Sequence, residues 1–118
     1  MSKAQLLNLE TGQVLDLPRR CTIGRADDNR VVVSDRWVSR HHCVIERRLL
    51  AGWCLRQLGE HAAAGPTAAS FTTVRREGRV CYVRGGERWK LASGDTLAFG
   101  KPPGDATIVF SHEFRLVQ

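Results

Sequence analysis

Lysine and asparagine are few in this 118-residue chain: Lys3, Lys90 and Lys101 stand against 15 arginines, and no asparagine follows Asn29. Long apolar runs are missing too. The longest stretch without a formal charge, from His61 to Val74, is rich in Ala, Gly and Thr and broken by Pro66, so it cannot supply the roughly 20 apolar residues of a membrane span. The start, with Lys3, Gln5, Asn8 and Glu10 close together, has no apolar leader core, and a cytoplasmic protein without a membrane partner is expected. The four cysteines, Cys21, Cys43, Cys54 and Cys81, form no Cys-x-x-Cys pair, which argues against a zinc site or a redox dithiol. Each lies among apolar neighbours, where a reduced thiol packs as a small hydrophobe. No metal and no cofactor is implied.

Charge is present in excess and of one kind. The 18 basic residues against 12 acidic ones leave +6, almost all carried by arginine, whose planar fork suits phosphate or carboxylate. With 42% apolar and 25% charged residues the composition is that of an ordinary globular protein, and one domain spanning 1–118 is expected.

No helical period is sustained over ten residues; short apolar segments alternate instead with turn residues. The pattern reads as all-β, with candidate strands at Gln5–Leu9, Gln13–Leu17, Cys21–Gly24, Val31–Val33, His42–Arg47, Trp53–Leu58, Ser70–Arg75, Arg79–Val83, Glu87–Leu91, Thr96–Phe99, Thr107–Ser111 and Glu113–Val117. Such spacing is that of a sandwich or barrel. Thr11-Gly12, Glu77-Gly78, Gly85-Gly86 and Ser93-Gly94-Asp95 carry hairpin chemistry, while Lys101–Asp105, with two prolines, reads as a surface loop.

Catalysis has thin raw material. His41, His42, His61 and His112 are the histidines, and Ser39 near two of them is not a triad, because spacing on one short segment does not bring nucleophile, base and orienting acid together. No glycine loop opens a helix to hold phosphate. An enzyme is not expected. The informative segments are Thr22-Ile23-Gly24-Arg25 and Val38-Ser39-Arg40-His41-His42, each placing polar groups where a strand meets a loop. Gly24 permits a sharp turn, Arg25 offers a fork of donors and Ser39 a hydroxyl. If the two loops meet they form a small anion site, for which a phosphate is the natural guest.

These segments, with Asn29 between them, resemble the Ile-Gly-Arg, Asn and Ser-x-x-His pattern of the forkhead-associated (FHA) domain family. Trp53-Cys54-Leu55-Arg56-Gln57-Leu58 is similar to the family's Trp-x-Leu-x-Asp-Leu strand, and Leu91–Gly100 to its Leu-x-x-Gly-Asp-x-Ile-x-Phe-Gly hairpin. The resemblance implies a two-sheet β-sandwich with ligand loops at one end and recognition of a phosphothreonine-containing segment of a partner protein. It implies that Arg25, Ser39 and Arg40 bind the phosphopeptide, and that Gly24, Asn29 and His42 shape the loops. An arginine-bearing hairpin, Thr73 to Arg88, resembles that of FHA modules in bacterial signalling proteins.

One departure stands out. The family's Asn-Gly-Thr, which holds the ligand's backbone, has no counterpart in the loop from Gly59 to Ser70, where Thr67 and Ser70 offer only hydroxyls for peptide contact. Two other readings follow: a degenerate FHA-like module that binds a protein partner without phosphate, and a nonspecific nucleic-acid binder drawn by the +6 charge. The second has few aromatics for stacking on a single strand.

Overall fold

The computed structural model describes residues 3–35, 38–58, 71–99 and 112–117. Within them lie eleven strands: β1 (Gln5–Asn8), β2 (Val14–Asp16), β3 (Arg20–Gly24), β4 (Val31–Val32), β5 (Cys43–Arg48), β6 (Gly52–Gln57), β7 (Phe71–Arg76), β8 (Arg79–Arg84), β9 (Arg88–Lys90), β10 (Thr96–Phe99) and β11 (His112–Val117). Each matches an expected strand to within one residue at either end. The expected strand Thr107–Ser111 and the Lys101–Asp105 loop fall outside the described residues, as do Thr67 and Ser70.

The strands form a six-stranded sheet, β2-β1-β11-β10-β7-β8, and a five-stranded sheet, β4-β3-β5-β6-β9. Pairing is antiparallel except between β3 and β4, where Ile23 faces Val31 in a parallel register. Alternation along each strand decides what lies inside. Leu6, Val74, Leu97, Phe114 and Leu116 from the larger sheet meet Cys21, Ile23, Cys43, Ile45, Trp53 and Leu55 from the smaller in one buried cluster. Full burial of an aliphatic side chain of this size contributes about 2 kcal/mol. The fold is therefore a two-sheet β-sandwich. No helix among the described residues is long and apolar enough to cross a membrane.

Two connections show how sequence sets the turns. Arg76 pairs with Arg79 across Glu77-Gly78, whose φ values of 50° and 79° are both positive, as a two-residue hairpin loop requires. In the β9–β10 connection Asp95, 1% exposed, accepts the Ala92 N–H at 2.9 Å and a two-pronged bond from Arg76, Nε at 2.7 Å and Nη2 at 2.6 Å. Arg76 also donates to the Lys90 carbonyl at 2.9 Å and lies 5.1 Å over the Trp89 ring. Burial by itself would raise the Asp95 pKa; the bonds from Arg76 and Ala92 and the Arg76 charge outweigh it and hold the carboxyl below its ordinary value. Arg76 is thus committed to the fold through Nε and Nη2.

Candidate functional site

The first expected site segment begins where β3 runs out at Gly24. A Cβ there would collide with the Arg40 carbonyl and meet Asn29 Nδ2 at 2.9 Å, so only glycine lets the two loops approach this closely. The approach is held by backbone bonds. His42 N–H donates to the Ile23 carbonyl and Arg25 N–H to the Ser39 carbonyl, both at 2.9 Å, and Ala26 N–H to the Arg40 carbonyl at 3.1 Å. These continue the β3–β5 ladder into the loops and bring the segments 24–29 and 38–42 together.

Side chains lock the arrangement. Asn29, 7% exposed, donates through Nδ2 to the Ala26 carbonyl at 2.8 Å and the Arg40 carbonyl at 2.7 Å, one within its own loop and one across the gap. His42 is fully buried, with its ring 5.5 Å edge-on from Phe99. Its Nε2 lies 2.8 Å from the Phe71 carbonyl, and its Nδ1 faces the Ser39 N–H at 3.2 Å. A carbonyl can only accept and an N–H can only donate, so the ring is neutral with its proton on Nε2. His42 thereby joins the loop before β5 to the start of β7. His41 is half-buried and lies 3.1 Å from both oxygens of Asp28, a further link between the loops.

Arg25 and Arg40 are exposed at this end of the sandwich. Arg25 donates through Nε to the Val38 carbonyl at 3.1 Å, which fixes its guanidinium plane; its terminal nitrogens have no partner among the described residues, nor does the Arg40 guanidinium. Ser39, expected to stand beside them, is 2% exposed. The β8–β9 turn lies at the same end, because Gly86 N–H donates to the Gln57 carbonyl at 3.0 Å and Gln57 pairs with Cys43. It places Arg84 and Arg88 nearer the loops than Arg75, Arg76 and Arg79, which sit at the far end of the same hairpin. A groove of about 460 Å³ borders the first loop at Arg30 and Val31, and one of about 620 Å³ lies away from both loops.

Residue reading missed Asp28 and Phe71. Asp28 lies in a run of charges with no periodicity to mark it. Phe71 acts through its carbonyl, which side-chain identity does not reveal. Among the described residues no group of three His, Cys, Asp or Glu is placed to hold a metal. Burial pushes the Cys21 thiol up to about 11, against a smaller opposing effect of Arg30, and burial likewise pushes up Cys43; neither is a thiolate near neutral pH.

Loops at the end of a rigid sandwich are a common seat for binding residues. A model of the FHA domain matches residues 21–100, and the chain belongs to the FHA domain family. FHA domains are interaction modules, not enzymes. Solved structures share the fold. The FHA domain of CT664 from Chlamydia trachomatis is 18% identical over 99% of this chain and 98% of its own, with a TM-score of 0.67. An FHA domain from a study of phosphothreonine-dependent FHA domain interactions is 20% identical over 99% of this chain and 97% of its own, also at 0.67. Mycobacterium tuberculosis EmbR, solved with a low-affinity phosphopeptide, is 22% identical over 99% of this chain and 24% of its own, at 0.64. No curated protein sequence matches the chain.

Proposed function

We propose that this chain is a phosphothreonine-dependent recognition module, acting by binding and not by catalysis, with Arg25 and Arg40 receiving the phosphate of a partner segment and Ser39 completing the site. The observation that carries this reading is the pair of exposed guanidiniums on two loops that are hydrogen-bonded to each other, one of them held by its own Nε. Charge-assisted bonds from arginine are the strong ones for a phosphate dianion. Loops already ordered by Asn29 and His42 lose little freedom on binding. Gly24, Asn29 and His42 serve as the frame. Thr67 and Ser70 would complete the peptide-holding side with hydroxyls. The four free thiols suit the reducing cytoplasm of a bacterial cell.

The absence of asparagine after Asn29 favours one second reading, binding of a protein partner without phosphate. Fluorescence anisotropy separates the two. Labelled degenerate peptide pools centred on phosphothreonine, phosphoserine or threonine are titrated with the protein and with Arg25→Ala. Binding confined to the phosphothreonine pool and weakened at least tenfold by Arg25→Ala is expected. Equal binding of phosphorylated and bare pools would support the second reading, and affinity that tracks salt alone for any polyanion would point to nucleic acid.

A further inference from the structure

At the opposite end of the sandwich the two sheets part over a groove of about 620 Å³ lined in part by Lys3, Leu17, Arg19, Arg47 and Trp53. Backbone bonds place these residues together: Leu17 N–H donates to the Ala4 carbonyl and Arg47 N–H to the Arg19 carbonyl, both at 2.9 Å, and Arg47 pairs with Trp53 across the β5–β6 ladder. Three cations, Lys3, Arg19 and Arg47, therefore share the lining with the apolar side chains of Leu17, Trp53 and Val117. The acidic group in the lining, Asp16, already accepts from Gln5 Nε2 at 2.8 Å.

Two further features mark this end. Trp53 is 3% exposed, and its buried indole Nε1–H has no hydrogen-bond partner among the described residues. A buried donor left in this state lacks an acceptor, and such groups call for a specific explanation. Just beyond Arg47 and Arg48, the β5–β6 hairpin presents Leu49, 92% exposed, and Leu50, 100% exposed, with Leu50 at a φ of 67° that bulky residues seldom adopt. Core packing explains neither leucine.

We infer that this groove is a second docking site, for an acidic segment of a partner protein that carries an apolar residue beside its carboxylates. Arg19 and Arg47 match carboxylate geometry, the indole N–H gains an acceptor, and Leu17, Leu49 and Leu50 meet the apolar side chain. The groove is concave, which suits a peptide side chain better than a flat surface does. Because β3 and β5 run the length of the sandwich between this end and Gly24, both ends can be occupied at once.

The test is a ¹⁵N–¹H correlation spectrum of the full chain. The titrant is a peptide pool with two glutamates flanking a position degenerate in Leu, Ile, Phe and Trp, and the control pool carries glutamine for glutamate. The Trp53 indole peak, assigned by its loss in Trp53→Phe, is expected to move downfield together with the amides of Arg19, Arg47 and Leu50, while those of Arg25, Ser39 and Arg40 stay in place. The doubly charge-reversed variant Arg19→Glu, Arg47→Glu is expected to bind at least tenfold more weakly. Leu49→Ser with Leu50→Ser, at exposed positions that do not disturb folding, is expected to weaken binding several-fold. A still Trp53 peak, equal movement with the glutamine pool, or unchanged affinity in these variants would overturn the proposal. So would phosphatidylserine vesicles that sediment the protein while the acidic pool leaves Trp53 unmoved, since that assigns this end to lipid. No probe carries a phosphopeptide, so the outcome is independent of the reading of the Arg25 site.

Discussion

The two ends of the sandwich are built by opposite means. At the Gly24 end, irregular loops are tied down by side chains that reach backbone carbonyls: Asn29 to Ala26 and Arg40, His42 to Phe71, Arg25 to Val38. At the other end hairpin ladders carry more of the order and the Arg76–Asp95 pair supplies the ties, Arg76 to the Lys90 carbonyl and Asp95 to the Ala92 N–H, while the β5–β6 hairpin exposes Leu49 and Leu50. Ordering irregular backbone costs entropy that hairpin ladders offset by their own bonds and loops do not. The first end therefore keeps its arginine tips available only because other side chains hold the loop, and the second takes its stability from turns and one ion pair.

Substitutions at the two ends should then differ in kind. The largest effect is expected for Gly24→Ala, whose methyl meets the Arg40 carbonyl: a loss of about 3 kcal/mol in urea unfolding, with separation of the two loops. Comparable loss for a control Gly78→Ala would show that the close approach is not what matters.

Arg76→Ala leaves Asp95 buried without its partner and should cost about 2 kcal/mol, lowered from the value for a fully buried pair because Arg76 is partly exposed. Its acid profile carries the sharper signature. Since the folded Asp95 pKa lies below the unfolded value of about 3.9, the pair's contribution is present above that pH and is lost as pH falls through the folded pKa. In Arg76→Ala burial is opposed by the Ala92 bond but no longer by the Arg76 bonds and charge, so the stability slope in that acidic window should flatten or reverse. An unchanged slope would remove Asp95 from acid unfolding.

His42→Ala should cost about 2 kcal/mol, from two hydrogen bonds and the Phe99 edge contact, and should expose the Phe71 carbonyl. Combined with Arg76→Ala its effect is expected to add within about 0.5 kcal/mol, since the ends share no partners. Strong coupling would mean the two ends are not separate units. The smallest effect has the opposite sign. Leu50→Asn exchanges a fully exposed leucine for a residue at ease with positive φ, and a Tm rise of about 2–4 °C in a thermal melt is expected.

Strand positions were legible because alternation and Gly-containing turns act locally; Thr96–Phe99 was read to the residue. Gly24, Arg25 and Ser39 read as an anion site only on the condition that the 24–29 and 38–42 segments meet, and the loop-shaping role of Asn29 came from the FHA resemblance and not from residue type. What escaped is non-local. That His42 would bond a carbonyl 29 residues away, or that Arg76 would be engaged by Asp95, depends on how the sheets stack. The burial of Ser39 follows from the same stacking, and alternation is silent on the outward turn of Leu49 and Leu50 at a hairpin tip.

The most direct test of the central claim is a ¹⁵N–¹H titration of the protein with the phosphothreonine pool and then with the bare threonine pool. Shifts confined to Arg25, Ser39, Arg40 and their neighbours, present with the first pool and absent with the second, are the expected result. Shifts of equal size with both pools, or shifts that leave the Gly24 end unmoved, would contradict it.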